Sequence, residues 1–394
     1  MRIALIVPGF SAHAQDWAIP ALLNLARALA QTHEIHVFSQ RYPAKGRYEF
    51  EGLIHHALGG GQRFGLASAK IWLQSCLAVI HQHRRTPFEL LHAFWADEAG
   101  FAAALAGAKL KRPVVVSLGG GELTHLPDIN YGAQRFLMRR LTTRYALQRA
   151  TFVTAGSRYQ LELGRAQHAP ASKLRFAPLG VDLNLFRPVA LKYERMKGWE
   201  HGGMKDGQVN RPKPGMFTPP TIAQAASLAP VKNQVLLLEV LSLVKRELPD
   251  IRLNLAGSGP LHHSLQELAH RLELSPNIVW GRQLAYPELV RLYQASHLYL
   301  QTSRHESQGM AVLEAMACGL PVLGTPVGVV REIACLPPQT SKEALAAQVI
   351  ELFSDEIRYL ELRQQARQTV EQGFSLAVVT ANFSRIYEEL YTGV

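Results

Sequence analysis

Residues 303–322 read SRHESQGMAVLEAMACGLPV, and the run before them, Leu298 to Gln301, is apolar and short. A buried strand, a tight glycine turn and a helix from about Met310 account for this order of residues. The first amides of such a helix have no intrahelical partner. They attract anions, by about 0.3–1 kcal/mol when exposed and up to about 2 kcal/mol when partly buried. Glu314 falls about one turn into the helix and Glu306 before it. Two carboxylates flanking one anion would repel it unless they face hydroxyls, which a carboxylate accepts from readily. The Glu-x7-Glu spacing therefore suggests a sugar ester of pyrophosphate lying across the turn. Taken alone, the same spacing also fits an ordinary helix with Glu314 in solvent.

Working outward from this stretch, strand-like and helix-like segments alternate, the pattern of parallel sheets covered by helices. In the first half the expected strands are Ile3 to Val7, Glu34 to Ser39, Leu90 to Ala93, Pro113 to Leu118 and Thr151 to Ala155. In the second half they are Thr221 to Ala226, Ile251 to Ala256, Asn277 to Trp280, Leu298 to Gln301 and Pro321 to Gly324. The chain has 394 residues, more than one core usually organises. Two Rossmann-like lobes follow, residues 1–186 and 221–375. Between them Arg187 to Pro220, including RPKPGMFTPP, reads as a linker or surface insertion. The final helix, about residues 376–394, is amphipathic enough to pack back on the first lobe.

Forty-two Lys and Arg against thirty-one Asp and Glu give a net charge of +11, with 47% hydrophobic residues. That balance excludes disorder as the main state. Cys76, Cys318 and Cys335 are odd in number and far apart, which argues against a disulfide framework or a clustered cysteine metal site. A reducing, cytoplasmic setting is expected. The opening MRIALIVPGF has too short an apolar run, and no cleavage pattern, for a signal peptide. Neither Gly100 to Leu110 nor Gly309 to Val330 supplies the ~20 uninterrupted apolar residues of a membrane span.

The ordered features of the second half resemble the C-terminal lobe of the retaining GT-B glycosyltransferases of family GT4. They are the loop ending in Lys232, the Ala256-Gly-Ser-Gly-Pro260 loop, Trp280-Gly281, and the Glu-x7-Glu block running into EAMACGLPV. The first half is similar more loosely, through Leu91-His-Ala-Phe-Trp95, the VVVSLGGGEL segment and Ala177-Pro-Leu-Gly-Val-Asp182. The resemblance implies a GT-B fold, two lobes whose parallel sheets face each other across a cleft. It also implies a nucleotide-sugar co-substrate held mainly by the second lobe, transfer with retention, and no cofactor or catalytic metal. No Asp-x-Asp occurs in the chain, so the carboxylate pair that commonly holds a divalent ion against a diphosphate is missing. Glu306 and Lys232 are the implied catalytic pair. Gly9, Gly257, Ser258, Gly259, Arg282, Gln308, Gly309, Met310 and Glu314 are the implied donor-binding residues, with Glu314 on the ribose.

Two positions depart from the family pattern. The arginine usual five residues before the lysine is Ser227, which leaves Arg282, Arg304 or Arg158 to supply a second cation. The histidine usual after a first-lobe strand is Gly119, with His125 a few residues on as a substitute. Glu122, His125 and Arg158 are thus the expected acceptor-side residues. The acceptor is expected to be a glycan or a lipid-linked molecule.

Arg135, Arg139, Arg140, Arg144 and Arg149 recur at near-helical spacing beside Phe136, Leu137, Leu141 and Tyr145, and a second basic end closes Ile71 to Arg85. These faces read either as the solvated sides of helices covering the sheet or as a weak, reversible attachment to the anionic inner face of the cell membrane. No nucleic-acid module is recognisable. Two other functional classes compete with a transferase. A dinucleotide oxidoreductase would use the paired lobes, although neither glycine cluster forms G-x-G-x-x-G. A nucleotide-sugar-binding protein would have lost catalysis with Ser227 and Gly119.

Overall fold

Ile3, Ala4, Leu5, Ile6 and Val7 are all fully buried, so strand β1 (Arg2–Gly9) is covered on both faces, as the centre of a parallel sheet must be. The computed structural model describes residues 1–61, 66–189, 217 and 219–392. Around β1 stand β2 (Glu34–Tyr42), β3 (Gly46–Phe50), β4 (Leu53–Ala57), β5 (Leu90–Phe94), β6 (Val114–Leu118), β7 (Phe152–Ala155) and β8 (Leu174–Phe176). Their order is β3-β4-β2-β1-β5-β6-β7-β8. Helices α1 (Pro20–Leu29), α2 (Leu66–Arg85), α3 (Glu98–Leu110), α4 (Leu137–Arg149) and α5 (Arg158–Ala166) cover this sheet.

The second lobe repeats the plan with β9 (Thr221–Ala225), β10 (Arg252–Ala256), β11 (Ile278–Gly281), β12 (Leu298–Gln301) and β13 (Val322–Gly324). All pairs in this sheet are parallel, in the order β11-β10-β9-β12-β13. Helices α6 (Gln234–Glu247), α7 (His262–Arg271), α8 (Leu289–Gln294), α9 (Met310–Ala317), α10 (Val330–Ile333), α11 (Lys342–Ser354) and α12 (Glu356–Gly373) pack on it. The loops at the carboxyl ends of both sheets meet across the crevice, where ligands of such sheets bind.

One expectation needs correction. The first sheet is not wholly parallel, because β3 and β4 form an antiparallel hairpin at its edge. GRYEF carries the mixed polarity of an edge strand with its outer side in water, and β8 is three residues long, so neither leaves a strong apolar signature. The expected linker lies, for residues 190–216 and 218, outside the described residues.

The last helix, α13 (Leu376–Thr392), returns to the first lobe. Its Val379, Phe383, Ile386 and Tyr387 join the core formed by Ile3, Leu5, Leu22 and Leu25. His92 on β5 ties it down, with Nδ1 2.7 Å from the Tyr387 hydroxyl and Nε2 2.7 Å from Ser117 Oγ. Burial pushes the His92 imidazole down to about 3. The unfolded chain, with an ordinary value near 6.5, therefore takes up this proton first, and stability from neutral His92 is lost as pH falls from about 6.5 toward 3. Wild type is expected to exceed His92→Asn in unfolding free energy at neutral pH, and the gap is expected to narrow by pH ~5. Urea melts of both proteins at the two pH values check this; a gap independent of pH contradicts it.

Candidate active site

Two cavities open at the crevice, and Ser227 lines both. The first, about 240 Å³, lies in the second lobe between the loops after β9 and β10, with Glu314, Tyr293, Ala311, Gly257 and Ser258 in its walls. The second, about 510 Å³, lies between the lobes. Its second-lobe wall is Val231, Lys232 and residues 305–310, and its first-lobe wall includes Trp95, Gly119–Gly121 and Tyr131.

Lys232 and Glu306 meet here, Nζ to Oε1 2.5 Å, and the Ser303 hydroxyl donates to the same oxygen at 2.8 Å. Their loops are laced together by backbone and hydroxyl bonds. Arg304 N donates to Val231 O at 2.8 Å, Thr302 Oγ1 to Lys232 O at 3.1 Å, and Thr325 Oγ1 to Ser303 O at 2.6 Å. Burial alone would lift the Glu306 carboxyl, but Lys232 and Ser303 outweigh it and hold it below its ordinary value. The group is therefore an anion at neutral pH, paired with the one cationic side chain that lines either cavity among the described residues.

Gly309 precedes α9 with φ +96°, a left-handed conformation that glycine adopts without strain. It aims the first amides of the helix at the interlobe cavity, whose lining includes Gly309 and Met310. Glu314 is buried farther along, and Tyr293 OH donates to its Oε2 at 3.2 Å. Burial raises its carboxyl to about 7. Gly257 needs its missing side chain, since a Cβ there would stand 1.9 Å from Ala226 O. Glycine thus lets the loops after β9 and β10 close into the wall of the first cavity.

Several expected site residues are placed elsewhere. Gly9 lines neither cavity and packs beside Tyr42. The room at Gly259 is taken by Leu228 O, which a Cβ would approach to 2.3 Å. Gln308 does line the interlobe cavity, with its side chain committed: Nε2 donates to Leu179 O at 2.7 Å and Oε1 accepts from Leu179 N at 2.9 Å, clamping the second lobe to the first. Arg282 is exposed and bound to Glu288 at 2.9 Å. Arg304 pairs with Asp128 at 2.5 Å across the lobes, and Arg158, 80% exposed, lies 3.7 Å from Glu332. None of these arginines fills the position vacated at Ser227.

The first-lobe expectations shift as well. Glu122 turns inward and accepts from Gly119 N at 2.8 Å and Gly120 N at 2.7 Å. Burial, then the nearby Asp97, raises its carboxyl to about 7. Both of its oxygens are thereby held within the loop. His125 is exposed and outside both cavities.

The histidine that does line the interlobe cavity is His305, next to Glu306 in sequence. It lies 3.2 Å from Thr124 Oγ1 and from Tyr159 OH, and 3.3 Å from Gly120 O. Burial lowers its imidazole, which favours the neutral form. Sequence reading passed over His305, Trp95 and Tyr131. Adjacency to Glu306 was the signal for the first, and the Leu91–Trp95 motif for the second.

The chain matches two family models, "Glycosyltransferase Family 4" over residues 21–185 and "Glycosyl transferases group 1" over residues 208–369. It is a glycosyltransferase of the GT4 type. The competing oxidoreductase reading falls, and loss of catalysis is not favoured. One relative of this GT4 enzyme is the GDP-mannose-dependent alpha-(1-6)-phosphatidylinositol monomannoside mannosyltransferase of Mycolicibacterium smegmatis. It is 26% identical over 308 residues, covering 75% of this chain and 73% of the relative. Another is the N-acetyl-alpha-D-glucosaminyl L-malate synthase of Bacillus anthracis, 23% identical over 93% of this chain and 92% of the relative. Among solved structures, Anabaena HepE in complex with UDP and glucose superposes with a TM-score of 0.71 at 17% identity, covering 99% of this chain and 100% of that one. The architecture is the GT-B fold.

Proposed function

We propose that this GT4 glycosyltransferase moves a sugar from a nucleoside diphosphate sugar to a hydroxyl of a glycan or lipid-linked acceptor, with retention and without a metal. One observation carries the reading. The Lys232–Glu306 pair and the opening of α9 face the interlobe cavity, and Ser227 joins that cavity to the pocket beneath Glu314. A nucleoside lies in the first cavity with ribose hydroxyls toward Glu314, its diphosphate passes Ser227, and the sugar enters the second. The UDP and glucose held by HepE and the GDP-mannose dependence in the relative's name support this class of donor. That relative's name also cites a phosphatidylinositol mannoside, which supports a glycan or lipid acceptor. Lys232 and the amides opening α9, which face this cavity, are the groups that meet the charge.

As the bond from the anomeric carbon to the diphosphate oxygen breaks, negative charge grows on that oxygen. Lys232 and the amides at the start of α9 stabilise it, and one preorganised donor is worth about 2.7–4 kcal/mol. Glu306, ionised, accepts from the sugar's hydroxyls and holds Lys232 in place. The acceptor oxygen forms its bond to the same face of the carbon, and its proton passes to the departing phosphate oxygen. Release of UDP from UDP-glucose, or of GDP from GDP-mannose, in the presence of EDTA tests the reading. Absence of release and of UDP or GDP binding would overturn it.

Membrane attachment is part of the proposal. Phe136, Leu137, Met138 and Leu141 are 51–71% exposed on and just before α4, beside exposed Arg140 and Arg144. Arg139 is used internally, on Asp97 at 2.9 Å and Glu98 at 3.2 Å. Among the described residues no helix is long and apolar enough to cross a membrane, and this face favours reversible adsorption to anionic lipid. More protein is expected to sediment with anionic than with neutral liposomes at low salt; equal recovery contradicts the attachment.

A further inference from the structure

The reading above rests on the second-lobe side of the interlobe cavity; the first-lobe side has a chemistry of its own. Trp95 has φ +71°, a strained backbone for a bulky residue and one that persists where the surroundings enforce it. They do so from both sides: Trp95 N donates to Ser117 O at 2.8 Å, and Gly100 N donates to Trp95 O at 2.9 Å. The indole lies against a run of glycines. A Cβ at Gly119 would stand 3.0 Å from the ring, and one at Gly120 2.6 Å from Nε1. At Gly121 a Cβ would meet the Tyr131 ring at 2.9 Å or less. Three consecutive glycines therefore make room for two aromatic side chains, and both line the cavity.

This accounts for Gly119. A histidine there would bring its Cβ to 3.0 Å from the indole and press the ring aside; here an aromatic wall stands in place of an imidazole. The wall carries no free charge. Glu122 is turned onto the amides of Gly119 and Gly120, and Lys232 and Glu306 compensate each other. An anionic acceptor would find no unpaired cation among the residues lining this cavity. A sugar ring would find apolar faces for its C–H groups, with an indole N–H and a phenol O–H for its hydroxyls. We propose that Trp95 and Tyr131 form the acceptor subsite, a platform for a neutral pyranose that presents its hydroxyl to the donor.

Titration of the full-length protein with octyl β-glucoside and octyl α-mannoside, below their micellar range, tests this without a donor. A change in intrinsic fluorescence is expected in wild type and is expected to be absent in Trp95→Phe. In transfer assays Trp95→Ala is expected to raise the acceptor KM at least tenfold while the Kd for UDP or GDP stays within twofold. Tyr131→Leu, with the same expected KM rise, covers the case in which Trp95→Ala fails to fold. Fluorescence changes that persist in Trp95→Phe, or transfer confined to an anionic acceptor such as L-malate, would overturn the subsite. Loss of donor hydrolysis with glycoside binding intact would count against the donor reading alone.

Discussion

Lys232→Ala is expected to lower turnover by about 10²–10³-fold, the usual cost of deleting one preorganised donor to a developing oxyanion. Among the described residues the lysine is the one cation lining the cavities, so none of the others there takes over its charge. A second consequence is electrostatic. Glu306 would keep the Ser303 hydroxyl but lose the cation 2.5 Å away, and burial would then drive its carboxyl upward. Breaking a fully buried pair costs about 3–5 kcal/mol; with 23% and 14% of these side chains exposed, a smaller loss is expected. Replacing both charges, as Lys232→Met with Glu306→Gln, separates the two effects. That double variant is expected to melt closer to wild type than Lys232→Ala does, yet to remain as inactive. Steady-state release of the nucleoside diphosphate and thermal melts measure both, and near-normal turnover in Lys232→Ala would remove the lysine from the mechanism.

Ser227→Arg is expected to work in the opposite direction, tightening UDP or GDP binding by about tenfold or more, as one charge-assisted hydrogen bond is worth about 1.5–3 kcal/mol. Ser227 stands where the two cavities join, so a longer side chain grows into open volume. Its loop is held independently of the side chain, by Gln234 Nε2 donating to Ser227 O at 3.0 Å. The other candidate cations are spent on Glu288, Asp128 and Glu332. Isothermal titration with UDP and GDP at two salt concentrations measures the gain, which should shrink with salt. An unchanged Kd would mean that the diphosphate does not pass this position.

The strands flanking the crevice and the helix start at Met310 were legible because each depends on near neighbours in the chain. Buried strands need unbroken apolar runs, and a helix turning from a strand needs glycine. Glu306, Lys232 and Gly309 were singled out through local motifs of the second half, the first two by their resemblance to the family pattern. The edge hairpin β3–β4 escaped notice because its pairing depends on the partner strand more than on its own residues.

Side-chain direction across the crevice was decided only by the tertiary structure. Glu122 reads as an acceptor ligand until the loop folds and two amides claim it. Gln308 stands at the turn before α9, but its side chain is claimed by Leu179, far away in sequence. Arg282, Arg304 and Arg158 read as interchangeable cations until three carboxylates take them. Trp95 reads as one residue of a motif until the glycines at 119–121 open a space for its ring. The amino-acid order by itself thus determined the strands flanking the crevice and the turn before α9, since these follow from local periodicity and backbone geometry. Which polar groups remain free to meet a substrate depended on partners drawn from distant segments, and only folding brings those within hydrogen-bonding reach.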